Sequence, residues 1–232
     1  MELRQWNELP DRMRTREVRK YYNIIAQRRG WFRAKRVFDV IVSLIMLVFL
    51  AIPMAAIAAM IKLDSKGPVF FRQERVTQYG RIFKIYKFRT MVNNASRIGS
   101  QVTVAGDARI TKVGKFLRKF RLDEFPQLFN IIAGDMTLVG TRPEVKKYVE
   151  KYTDEMMATL LMPAGVTSYA SIMYKDEDEV ISNLQKSGKT VDEIYIKDVL
   201  PEKMKYNLEY IRKFSFGYDI RLCFKTVIGV LK

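Results

Sequence analysis

The 232-residue chain contains no histidine. It therefore lacks the commonest general base near neutral pH and any histidine-based zinc site. It has one cysteine, Cys223, so no intramolecular disulfide can form. Acidic residues are few beside basic ones: 25 Asp and Glu against 41 Lys and Arg, a net charge of +16. That excess points to an anionic partner, either a nucleic acid or an anionic membrane surface with phosphorylated ligands. There is no glycine-rich dinucleotide fingerprint, no P-loop, no internal repeat and no low-complexity tract. Catalysis, if present, must rest on carboxylates, Lys, Arg, Tyr or a hydroxyl.

What the chain does have is apolar length in one place. Val40 to Ile61 runs 22 residues without a charge. A bilayer core needs about 20 apolar residues in a helix, so the segment is long enough to enter one. It starts late, is long and lacks a small-residue cleavage site, unlike a cleaved signal peptide. Pro53 sits near its middle, where it removes a backbone donor and tends to kink or break a helix. The stretch from Val40 to Ile52 would be only about 20 Å long at ~1.5 Å per residue. Basic residues flank both ends: Arg33, Lys35 and Arg36 before, Lys62, Lys66, Arg72 and Arg75 after. Positive charge prefers the cytoplasmic side. Together these predict a re-entrant helix-break-helix with its break at Pro53, entering and leaving on one face. A single spanning helix is the competing form, and a buried core helix the bland one.

Downstream, alternating β-branched and aromatic residues over 67–92 predict short strands with a turn at Tyr79-Gly80. Residues 93–109 read as a mobile loop. Helices are expected over Lys112–Phe120, Phe125–Ala133 with Gly134 as the stop, 143–160 and 201–214. Tyr218 to Lys232 reads as an interfacial helix. Residues 174–193 carry mixed charge and no motif.

Three clusters could carry chemistry. Asp123 and Glu124 stand before a helix whose early turn holds Pro126, with Arg118, Lys119 and Arg121 upstream. A helix N-terminus would favour an ionised carboxylate and attract phosphate, though acidic residues there are usually caps. In Tyr86–Met91, Lys87 and Arg89 share one strand face, which suits a diphosphate or, more plainly, a charge-protected strand edge. Gly140-Thr141-Arg142-Pro143 fixes Arg142 for a phosphate or base contact, or is a simple connecting turn.

From about Ala34 to Lys232 the chain resembles the monotopic phosphoglycosyl transferases, the bacterial sugar transferases. The resemblance rests on Lys35-Arg36-Val37-Phe38-Asp39, the proline-broken apolar segment, Gly67–Phe71 with Gln73 and Arg75, and Phe83–Met91. It continues through Thr111–Arg118, Leu122–Leu128 and Gly134–Gly140. It implies that Asp123 attacks the sugar-side phosphorus of a UDP-sugar, UMP leaves, and a polyprenyl phosphate such as undecaprenyl phosphate attacks the aspartyl phosphosugar. Glu124 would be its partner in metal binding or in deprotonating the acceptor phosphate. Mg²⁺ would be held by Asp123 and Glu124; Lys87, Arg89, Arg118 and Arg142 would serve phosphate and nucleotide. Three departures stand out: Thr141 where the family usually has proline, Ile52 before Pro53 where it usually has serine, and Pro163–Ala170 where many members read Pro-Gly-Ile-Thr-Gly.

The expected fold is α/β: residues 1–33 a basic extension, 34–64 a re-entrant membrane hairpin, and 65–232 a catalytic domain of helices and short strands with amphipathic interfacial helices. The implied setting is the inner leaflet of a bacterial cytoplasmic membrane, the domain facing the cytoplasm, with no nucleic-acid partner and with room for a homodimer. The competing readings are a basic nucleic-acid-binding protein, for which the apolar run has no role, and an inactive membrane scaffold.

Overall fold

Thr15 opens the first long element by accepting a hydrogen bond from Val18 N at 3.3 Å. Helix α1 (Arg16–Ala26) follows. Its Val18, Tyr21, Tyr22 and Ile25 fall at helical spacing and are all buried. They pack with Leu3, Leu9 and Met13 in the main core, alongside Met157, Leu160 and Leu161 of a 3-10 turn at Met156–Leu161. The stretch read as a basic extension is thus part of the domain's interior. The computed structural model describes residues 2–95, 102–104, 106–174, 177–186 and 188–231.

Helix α2 (Arg29–Asp64) is 36 residues long, with Pro53 inside it. It is long and apolar enough to cross a membrane. The expected helix-break-helix is here one helical element, and the reason is packing on both sides of the proline. Leu47 and Leu50 precede it, Met54, Ile57 and Ile61 follow it, and all face the domain. Those contacts stabilise the helix where Pro53 removes one hydrogen bond. The opposite face, including Ile41, Val48, Phe49 and Ile52, is exposed, with Phe49 at 78% and Ile52 at 83%.

Strands β1 (Phe70–Val76) and β2 (Ile82–Phe88) form an antiparallel hairpin with Phe70 opposite Phe88 and Val76 opposite Ile82. The turn comes where expected, with Tyr79 at φ 61°. Of the 93–109 loop, residues 96–101 and 105 lie outside the described residues. Helices α3 (Lys112–Lys119) and α4 (Gln127–Ala133) follow. Gly134 ends α4 at φ 86°, the left-handed stop its position suggested.

Strand β3 (Met136–Val139) pairs in parallel with β4 (Ala164–Thr167), so the α/β expectation holds as two separate two-stranded sheets. The helix expected over 143–160 shrinks to one turn, α5 (Lys146–Val149), and the 3-10 turn at Met156–Leu161. The polar run Glu150–Glu155 has no continuous apolar stripe, and the chain redirects there so that Tyr148, Tyr152 and Leu161 all reach one core. Then come α6 (Tyr169–Met173), α7 (Glu177–Gln185) and α8 (Val191–Ile194). A π-turn at Tyr195–Val199 runs into α9 (Leu200–Lys213), and α10 (Phe216–Leu231) ends the described chain.

Ties from the first turns of α2 bind it to the rest. Lys35 donates to Asp219 of α10 at 2.6 Å, with both side chains almost wholly buried. Arg36 donates to the Ile131 and Ile132 carbonyls at the end of α4.

Candidate active site

A cleft of about 440 Å³ opens between the β1–β2 hairpin and the face made by α6, α7 and α9. Lys87, Arg89, Arg118, Asp123, Glu124 and Arg142 all line it. The six residues singled out in sequence therefore meet, but they do different work.

Local chemistry sets the dyad. Thr111 caps α3 by accepting from Gly114 N at 3.0 Å. Gly114 lies so close to the backbone of Thr90 that a β-carbon there would sit 2.0 Å from the Thr90 carbonyl oxygen. This contact brings Arg118 to Thr90: its Nε donates to Thr90 Oγ1 at 2.9 Å and its Nη1 to Thr103 Oγ1 at 3.0 Å. The chain then reverses through Arg121, a non-glycine residue in the left-handed region at φ 53°. Such strain persists only where the surroundings enforce it. It leads into a 3-10 turn, Leu122–Glu124. Leu122 and Phe125 pack inward against the core around Phe88 and Leu117, while Asp123 and Glu124 line the cleft.

From β2, Lys87 Nζ reaches Glu124 Oε1 at 3.2 Å and stands 3.9 Å from Asp123 Oδ2. Arg121 Nη1 is 4.0 Å from Glu124 Oε2. The pKa values of the two carboxyls consequently shift in opposite directions. Burial pushes Asp123 above the usual carboxylate range, and the nearby Glu124 charge adds to it against the pull of Lys87. Burial acts on Glu124 too, but Lys87, Arg121 and Arg142 outweigh it and hold Glu124 below its ordinary value. The α4 N-terminus is therefore not the chief influence on Asp123; burial is. The dyad precedes α4 in a separate turn, with Pro126 between, and desolvation decides.

Arg89 is also corrected in part. It borders the cleft, yet its guanidinium donates to the Ser65 and Lys66 carbonyls at 2.7 Å each and to Ser65 Oγ at 2.9 Å. It fastens the end of α2 to the hairpin. Arg142 Nη1 donates to Ser171 Oγ at 3.0 Å, and its backbone N–H donates to Asn207 Oδ1 at 3.3 Å. Ser171 belongs to α6, which begins within the Pro163–Ala170 departure.

Sequence reasoning missed several lining residues. Arg121 stood within the quoted cluster as one cation among three. Glu144, Glu177, Tyr195 and Lys203 were given no role; they reach the cleft only through tertiary packing, in which Tyr195 of the π-turn stacks on Tyr148 of α5.

Among the described residues no cluster of three or more potential metal ligands exists. The dyad nonetheless fits Mg²⁺, which is commonly held by one or two carboxylates with waters and substrate phosphates completing its shell.

A profile of the family described as bacterial sugar transferase matches residues 30–232. Over 200 residues the chain is 36% identical to a UDP-N-acetylgalactosamine-undecaprenyl-phosphate N-acetylgalactosaminephosphotransferase of Aeromonas hydrophila, covering 85% of this chain and 43% of that protein. It is 33% identical over 198 residues to a UDP-glucose:undecaprenyl-phosphate glucose-1-phosphate transferase of Escherichia coli K12, covering 83% and 39%. It is 29% identical over 225 residues to an undecaprenyl-phosphate galactose phosphotransferase of Salmonella typhimurium, covering 90% and 43%. The chain thus spans about two-fifths of the length of these relatives.

Proposed function

The chain belongs to the bacterial sugar transferase family, and on that premise we propose that it transfers a sugar 1-phosphate from a UDP-sugar to a polyprenyl phosphate at a membrane surface. The observation that carries this reading is the meeting of Asp123 and Glu124 with Lys87, Arg118 and Arg142 in one cleft. In the first step a carboxylate oxygen of Asp123 bonds to the sugar-bearing phosphorus. The bond from that phosphorus to the bridging oxygen breaks, and UMP leaves with the electron pair. In the second, a phosphate oxygen of the acceptor attacks the same phosphorus, Asp123 is released as carboxylate, and a polyprenyl diphosphosugar results. This is covalent catalysis by a carboxylate.

Desolvation gives Asp123 the character such a nucleophile needs, since its charge is poorly solvated and readily shared with phosphorus. Lys87 offsets part of the cost by favouring the ionised form. Glu124, held as the anion, is suited to take the acceptor's proton or to share a cation. Arg118 and Arg142 supply fixed positive charge for the diphosphate. Mg²⁺, held by Asp123 and Glu124, would supply charge neutralisation at the phosphate oxygens.

The same reading makes α2 a monotopic anchor held against the inner leaflet. Its first half is tied to Asp219 and Ile131, and its second half packs on Phe88 and Leu117 of the same domain. A bilayer-spanning helix would have to separate those attachments across about 30 Å of hydrocarbon. The exposed apolar face and the +16 net charge suit an anionic leaflet. The purified chain should float with vesicles containing anionic lipid; recovery wholly in the lipid-free fraction would remove the anchor.

The central test is UMP release from UDP-sugars with Mg²⁺ and undecaprenyl phosphate, comparing wild type with Asp123→Asn. Release should fall by about a thousandfold or more in the variant. Equal release would take Asp123 out of the reaction and favour an inactive scaffold or a different chemistry.

A further inference from the structure

Beyond the dyad the cleft ends in a buried charge network that the proposed chemistry does not use. Lys203 of α9 is 2% exposed. Its ammonium lies 2.9 Å from Glu144 Oε1 and 3.1 Å from Glu177 Oε2, and it donates to the Tyr195 hydroxyl at 2.6 Å. Tyr195 belongs to the π-turn preceding α9 and stacks on Tyr148, with ring centroids 4.3 Å apart. An irregular turn of this kind often marks a functional position. Here it places the Tyr195 hydroxyl on Lys203.

Arg142 sits in the field of three carboxylates. Burial alone would lower its pKa, but Glu177, Glu124 and Glu144 outweigh it and hold the guanidinium firmly charged. Yet among the described residues none of the three lies within 4.0 Å of Arg142, whose side chain donates to the neutral hydroxyl of Ser171. Glu144 and Glu177 are both engaged by Lys203, and Glu124 by Lys87. Arg75, 3.9 Å from Glu144, donates to the Pro143 carbonyl next to Arg142 and keeps that segment in place.

We propose that Lys203 is a positioning residue for Arg142: by holding Glu144 and Glu177 it prevents either carboxylate from capturing the guanidinium, which stays available to an anionic ligand in the cleft. This rests on the reading of Arg142 as a donor-phosphate contact. Loss of the ammonium would leave two buried carboxylates without their cation. Arg75 already stands 3.9 Å from Glu144, so Arg142, on which Glu177 is the strongest of the acting charges, would be drawn chiefly to Glu177, because an uncompensated buried charge is far costlier than a paired one.

The experiment is equilibrium binding of UMP, a phosphate-bearing probe independent of the sugar, to the full-length chain, with thermal melting recorded alongside. Lys203→Met should weaken UMP binding by about tenfold or more. Lys203→Met/Glu144→Gln/Glu177→Gln should return it to within about threefold of wild type, since replacing a whole buried ion cluster is often tolerated. Unchanged binding in Lys203→Met overturns the proposal, as does a loss that the triple variant fails to recover. Should Lys203→Met not fold, the comparison moves to Lys203→Met/Glu144→Gln, which keeps Glu177 while removing the carboxylate that Arg75 already attends. It must bind UMP more weakly than the triple variant, and equal binding overturns the proposal. Arg142→Gln separates the two layers: if it binds UMP as wild type does, the reading of Arg142 itself falls.

Discussion

Lys87 lies between the two carboxyls of the dyad, nearer to Glu124 than to Asp123. Its charge is the chief influence lowering the pKa of Asp123 against burial. Replacing it with methionine removes that pull, so the Asp123 pKa should rise further from its already raised position. The ionised nucleophile then becomes scarcer at any pH below the new value, and the acid limb of the UMP-release profile moves to higher pH. Lys87→Met should accordingly lose more activity at about pH 6 than at about pH 9. A proportional loss at both would confine Lys87 to substrate contact. Arg89, two positions on and just past the end of β2, is spent on the carbonyls of Ser65 and Lys66. Two cations with one sequence signature thus divide into a dyad partner and a structural clamp, depending on which backbone each meets.

At the scale of elements, the site is as good as the packing of α3 on the loop after β2. Gly114 permits that approach, and Arg118 takes its place from it through Thr90. Gly114→Ala would put a methyl group into the Thr90 carbonyl with no flexible side chain to yield. The expected cost is about 3 kcal/mol or more, read as a fall in melting temperature, with weakened UMP binding because Arg118 shifts. Wild-type melting and binding would mean that α3 can slide without consequence. The α2 helix makes a related point. Its inner face satisfies three segments of core while its outer face stays apolar and exposed. The hydrophobic run in sequence is the sum of these two faces.

For the whole molecule, the boundary of the family match and the boundary of the folded body differ. The match begins at residue 30, yet Leu3, Leu9, Met13, Val18, Tyr21, Tyr22 and Ile25 are buried in the main core. Tyr21 also donates to Glu155 at 2.6 Å and accepts from Arg212 at 2.7 Å. Burying side chains of this size is worth roughly 1.5–3 kcal/mol each. A chain lacking residues 1–26 should therefore aggregate or melt well below the full-length protein in calorimetry. Equal melting temperatures would show that the arm rests on the domain without supporting it.

Features that depend on neighbours along the chain were legible before any fold was known. The Tyr79-Gly80 turn, the Gly134 stop, the helix over Lys112–Lys119 and the apolar length of α2 follow from local dihedral preference and periodicity, and the structure carries them all. The dyad, Lys87, Arg118 and Arg142 were legible as candidates because their motifs are contiguous. How they are used follows from the packing of the folded chain. Desolvation and charge–charge coupling depend on groups distant in sequence, so the opposite shifts of Asp123 and Glu124, the diversion of Arg89 and the burial of Lys203 between Glu144 and Glu177 have no local trace. The same holds for Pro53: its missing donor is written in the sequence, but whether a helix breaks there depends on what packs against its two sides.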